Sequence, residues 1–241
     1  MRKYLLILFA LLLLNPKQAH SQNTGAIAGA AAGLLAVGAG IVASIDDMKE
    51  RAELKATQHI LMFHPELQSF SLKTLDFDGK KLKDMSSVSV ISYKIQEFIP
   101  GDEPKLTGKK QVLFGFTSYG WISEQGIDFN KVQWFLIDQK EWLNMMVAYA
   151  KVSSSEKNES ILKQKVTNGL IANKGVKVDG KIVVPFYKLE GDMYLSTDYS
   201  DNMKLVYNER SLGIFLKKTM NLVQIGRSDL IKTHEFFFEK N

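Results

Sequence analysis

The stretch VQWFLIDQKEWLNMMVAY, residues 132–149, changes its period half-way along, and that change sets the fold class. Val132, Trp134 and Leu136 recur at every second position, as on a strand, whereas Trp142, Met145, Met146 and Tyr149 recur at the spacing of one helical face. Between them Asp138-Gln139-Lys140-Glu141 has the spacing of a capping box, in which Asp138 accepts a backbone N–H and Glu141 reaches back. A strand that runs into a capped amphipathic helix predicts a helix packed on a sheet. Trp142, Met145 and Tyr149 are then buried, and Lys140 and Asn144 face water.

The same two periods continue on both sides. Upstream, Phe70 and Leu72 lead to Phe77-Asp78-Gly79-Lys80, where Asp-Gly suits a type I′ hairpin turn. Ile91, Tyr93 and Ile95 form the inward face of a strand, Pro100-Gly101-Asp102-Glu103-Pro104 reads as a surface loop, and Val112, Phe114 and Phe116 give another strand. Downstream, Ser153-Ser154-Ser155 breaks the helix, and 153–158 is the candidate hinge. Leu162, Val166 and Leu170 predict a second helix stopped by Asn173-Lys174-Gly175. Strands return with a hairpin at Asp179-Gly180, then at Tyr194, Leu205 to Tyr207, Ile214 to Leu216, Leu222-Val223 and Phe236 to Phe238. Residues 65–241 are therefore expected to form an α+β domain, with a mixed or antiparallel sheet and two central helices.

Ahead of that domain, residues 46–64 form an amphipathic helix: Met48, Ala52, Ala56, Ile60 and Phe63 lie at helical spacing among charged residues, and Pro65 ends it. Residues 1–21 have the parts of a secretory signal. Arg2 and Lys3 precede the apolar run Tyr4 to Leu14, Asn15-Pro16 breaks it, and the small Ala19 and Ser21 suit cleavage before Gln22. Residues 22–45 form a Gly/Ala-rich apolar helix, uncharged from Thr24 to Ile45. At 1.5 Å per residue, 24–45 spans about the hydrocarbon thickness of a bilayer. Gly25, Gly29 and Gly33 repeat every four residues on one face, a glycine zipper on which a second helix can approach backbone to backbone. So many Gly and Ala residues make insertion into lipid marginal, so the segment can cross with the chain and associate later.

Composition narrows the chemistry. The formal charge of +5 includes Arg2, Lys3 and Lys17, and loss of these three with the signal leaves +2, which does not indicate a nucleic-acid binder. With no cysteine there is no disulfide, thiolate metal site or cysteine nucleophile. His59 and His64 are five apart, on different faces of a helix, and with His234 they match no metal-ligand pattern. Gly115-Phe116-Thr117-Ser118-Tyr119-Gly120 has its glycine three residues before the serine where a nucleophile elbow needs two, so it reads as a strand ending in a turn. Asp76-Phe77-Asp78-Gly79 lacks the glycine and Glu positions of a calcium loop. No catalytic residue, metal or cofactor is nominated. Tyr119, Trp121, Ile122 and Phe129 lie in a turn-rich loop, where they are read first as packing beneath the loop and, as the alternative, as candidate partner-binding residues.

The expectation is an exported, non-enzymatic cell-envelope protein of the Gram-negative type, in the periplasm or outer membrane. It self-associates, or touches the membrane, through 24–45 and binds another envelope protein through its α+β domain. The alternatives are a pore-forming or membrane-perturbing protein, a hydrolase with no recognisable motif, and an inner-membrane helical hairpin.

Overall fold

The structure, a computed structural model, describes residues 45–76, 90–117, 120–123, 126–190 and 194–238. The signal, the glycine zipper, the Asp78-Gly79 turn, Ser118 and Tyr119 lie outside them. The chain begins with helix α1 (Ile45–Phe63), β1 (Phe70–Asp76), β2 (Val90–Ile99) and β3 (Lys105–Thr117). Then come the short strands β4 (Ile122–Ser123) and β5 (Gly126–Ile127), a 3-10 turn (Phe129–Lys131) and β6 (Val132–Asp138). Strands β1, β2, β3 and β6 pair in that order into an antiparallel sheet.

Both faces of this sheet are covered, which is why β3 buries consecutive residues. Ile91, Tyr93, Ile95 and Leu113 face one side and pack with Met48, Ala52, Ala56 and Ile60 of α1. Two alanines in that stripe let the helix axis lie close to the strands. Asp46 and Asp47 sit in its first turn, where the helix dipole favours negative charge. Phe63, expected to extend the stripe, is instead 62% exposed and leans on His59, with ring centroids 4.8 Å apart. The turn at Pro65 brings Leu67 back into the cluster beyond the last turn of the helix, and it is Leu67 that is buried there.

The other face carries Val112, Phe114, Phe116 and Ile137, which meet helix α2 (Gln139–Ser153). The Asp138 carboxylate caps α2 by accepting the Glu141 N–H at 2.7 Å. The expected return bond is absent, because the Glu141 carboxylate accepts the Tyr199 hydroxyl at 2.6 Å instead. Trp142, Met145, Met146 and Tyr149 are buried, and Lys140 and Asn144 are exposed, as their spacing requires.

Helix α3 (Glu159–Thr167), β7 (Leu170–Ala172), β8 (Gly175–Val178) and β9 (Lys181–Pro185) come next. Asp179 and Gly180 have φ of 48° and 77°, the left-handed pair of a type I′ hairpin between β8 and β9. Leu170 belongs to β7 and not to the helix. At Gly169 a Cβ would lie 2.4 Å from the Lys177 carbonyl and 2.7 Å from that of Lys165, so strand and helix meet at a residue that must lack a side chain. Strands β10 (Leu195–Asp198), β11 (Met203–Tyr207), β12 (Ser211–Leu216) and β13 (Asn221–Gly226) form an antiparallel meander, and α4 (Arg227–Phe238) closes the chain. Tyr194 lies just outside β10 and is half-exposed.

Phe236 to Phe238, expected as a strand, are the last turn of α4. Leu230, Thr233, His234 and Phe237 fall on one helical face and are buried, so tertiary packing overrides the β-preference of three successive phenylalanines. The described residues thus form an α+β fold with four α-helices and antiparallel sheets. One cluster joins Phe114 and Phe116 of the first sheet, Trp142 to Tyr149 of α2, and Leu205, Tyr207, Leu212 and Ile214 of the meander. At 153–158, Ser153 and Ser154 are buried, and the Lys157 ammonium donates to the Lys151 and Ser154 carbonyls, both at 2.6 Å.

Candidate functional site

Of the two readings of the loop after β3, packing beneath it describes Trp121 and Ile122. Trp121 is fully buried and Ile122 nearly so, packed with Ile60, Ile91 and Val132, while Phe129 is half-buried against the same cluster. The reason is local. The Asp128 N–H donates to the Trp121 carbonyl at 2.7 Å and the Lys131 ammonium to the Gly120 carbonyl at 3.0 Å, folding the loop back over the end of α1. Trp121 and Ile122 therefore form a small core beneath the loop and offer no exposed edge.

The histidines divide into a buried one and an exposed pair. His234 has no solvent exposure, and its neighbours dictate its tautomer. Trp142 Nε1–H can only donate, so Nδ1 accepts it at 3.3 Å, which leaves Nε2–H to donate to the Val166 carbonyl at 2.9 Å. Burial lowers its pKa, and hydrogen bonds to the Val166 and Gly169 backbone partly oppose the shift. This neutral imidazole ties α2, α3 and α4 together. His59 and His64 are closer than expected. Because α1 ends at Phe63, the His64 ring folds back to 5.7 Å from that of His59, and its Nδ1 lies 3.1 Å from Glu66. Partial burial, and then the neighbouring His64, lower the His59 pKa. Among the described residues no three His, Asp or Glu side chains form a metal-binding group.

Arg227, which nothing in the sequence singled out, is buried where α4 begins. It donates to the Tyr149 hydroxyl at 2.8 Å and to the Asn208 and Glu209 carbonyls at 3.4 and 3.3 Å, and it lies over the Tyr149 and Phe186 rings. Tyr149 in turn donates to the Ser211 carbonyl at 3.2 Å, and burial pushes its pKa up to about 12 despite the opposing effect of Arg227. A guanidinium stacked on rings and bonded to carbonyls holds the β11–β12 turn against α2 and α4. Tyr149 and Arg227 are 78 residues apart, so no local spacing could announce the pair.

Among the described residues two further surfaces bear on binding. The outer side of α1 leaves Leu54, Leu61 and Met62 exposed, beside Phe63. A groove of about 710 Å³ runs between α2 and the edge strand β10, floored by Val147, Ala148 and Leu195 and bordered by Lys151, Lys157 and Tyr187. No described helix is long and apolar enough to cross a membrane.

No family model, curated protein or solved structure matches this chain.

Proposed function

We propose that this chain is an exported, non-enzymatic envelope protein that self-associates, or contacts the membrane, through Gly25, Gly29 and Gly33 and binds a partner protein through its α+β body. The order of segments carries the reading. A secretory signal is followed by the uncharged, small-residue stretch 24–45, which leads into α1. Leu54, Leu61 and Met62 on the outer side of α1, the helix that follows that stretch in the chain, add exposed apolar side chains of the kind that can contact protein or lipid. The buried Arg227 and His234 are occupied in holding elements of the body together.

The test is fractionation of tagged protein among soluble, inner-membrane and outer-membrane pools, with N-terminal sequencing of each. The expected result is a chain beginning at or near Gln22 in the periplasm or outer membrane. Full-length protein retaining Met1 in the envelope would overturn the export reading and favour an inner-membrane hairpin.

A further inference from the structure

We infer that the groove between α2 and β10 accepts an extended peptide segment of a partner protein, added to the sheet as a fifth strand antiparallel to β10, with an acidic side chain at the Lys157 end. The inference rests on the reading of the α+β body as the partner-binding part of the chain.

The backbone of β10 specifies a strand. Leu195 to Asp198 pair with Tyr207 to Lys204, and the next residue, Tyr199, donates its N–H to the Met203 carbonyl at 3.1 Å. Bonding positions alternate along an antiparallel ladder, so Leu195 and Thr197 also point their backbone groups toward β11. Ser196 and Asp198 then point their N–H and C=O outward, into the groove, where no strand among the described residues pairs with them and the Asp198 carbonyl only accepts a long bond from the neighbouring Thr197 hydroxyl at 3.4 Å. Unpaired groups of this kind are completed by an incoming extended chain, and the side chains it turns toward the domain supply selectivity.

The walls define those side chains. Alternate residues of the incoming strand face Val147, Ala148 and Leu195, a small apolar floor that suits Val-sized groups. Charge sets the end that must be acidic. Lys151 is paired with Glu159 at 2.5 Å, and Asp198 with Lys217 at 2.8 Å and Lys204 at 3.7 Å. Lys157 lies at the same end of α2 as Lys151, has no carboxylate among the described ion pairs, and spends two of its three protons on carbonyls. Tyr199 beside the α2 N-terminus and Lys157 beside its C-terminus fix the direction: β10 runs opposite to α2, so an antiparallel guest ends at Lys157.

The test uses the purified full chain and a fluorescent, terminally capped peptide, Thr-Val-Thr-Val-Thr-Val-Glu, followed by fluorescence anisotropy. Saturable binding below about 1 mM is expected, and Ser196→Pro, which removes an outward N–H and no ladder bond, should weaken it by about tenfold or more. Replacing the peptide's Glu by Lys should weaken it by about fivefold. Ala148→Arg fills the floor from a helix surface and should abolish binding even if Ser196→Pro disturbs folding. Absence of saturable binding, or equal affinity in parent and Ala148→Arg, would overturn the inference. So would a Ser196→Cys variant crosslinking to a second copy regardless of peptide, since that makes another β10 the occupant. None of these outcomes touches the export reading, which fractionation tests without the peptide.

Discussion

Helices α1 and α2 cover opposite faces of the same four-stranded sheet, and they do so with opposite kinds of side chain. Helix α2 drives Trp142, Met145, Met146 and Tyr149 into a core shared with the meander and α4. Helix α1 meets the sheet through Met48, Ala52, Ala56 and Ile60, and keeps Leu54, Leu61 and Met62 on its outer side. A buried aromatic removes roughly 150–250 Å² from water, far more than an alanine can. The α2 face is therefore the anchor of the fold. The α1 face is a close but lighter contact, on the helix that follows residues 24–45 in the chain, and its outer side mixes Leu54, Leu61 and Met62 with exposed charged residues.

That contrast can be broken most readily at Trp142. Trp142→Ala should cost about 3–5 kcal/mol, read as a lower urea midpoint, because it empties a large site and leaves Nδ1 of His234 without its donor. On the other face the sensitive change is an enlargement. Ala52→Leu should cost about 1–3 kcal/mol by forcing α1 off the strands, and a larger loss than for Trp142→Ala would reverse the ranking of the two faces.

Acid should sharpen the contrast further. The folded state holds His234 neutral by burial, so below the usual value of 6.5 the unfolded chain takes up a proton that the folded one refuses. Stability should be flat in this respect above 6.5 and fall as pH drops from there toward the lowered folded pKa. His59 is shifted in the same direction by its partial burial, and then by His64. Urea midpoints across this range should keep most of their fall in His59→Gln and lose most of it in His234→Gln. A fall that follows His59 would place the sensitive group on the α1 side. Asp138→Ala, which removes only the α2 cap, should cost about 1 kcal/mol, and a loss comparable to Trp142→Ala would show that α2 depends on its end as much as on its face.

Much of this was legible wherever one period ran uninterrupted. The stripe of α1, the Ile91/Tyr93/Ile95 face of β2, the Trp142 to Tyr149 face of α2 and the Asp179-Gly180 turn each follow from local spacing or local φ. The misreadings share a cause, since neighbours distant in sequence decided them. Phe236 to Phe238 read as a strand until Trp142 and the core give α4 its buried face. Leu170 continued a helical spacing until β8 pressed on Gly169. Packing of Trp121 beneath its loop was legible as one of two readings, but its place against α1 and the first sheet was not. The groove was not legible at all, because it exists only once α2 lies beside the edge of β10.

The central claim, that the small-residue segment ahead of α1 is an assembly surface, is tested most directly by crosslinking and membrane fractionation of Gly29→Ile beside Ile27→Ala and the parent chain. A branched side chain at Gly29 should separate helices that touch backbone to backbone, and Ile27, on another face, serves as the control. The prediction is loss of crosslinked oligomer or of membrane association in Gly29→Ile alone, with the urea midpoint of the α+β body unchanged. Equal crosslinking and fractionation of all three would contradict it and reduce the Gly25, Gly29 and Gly33 spacing to a by-product of composition.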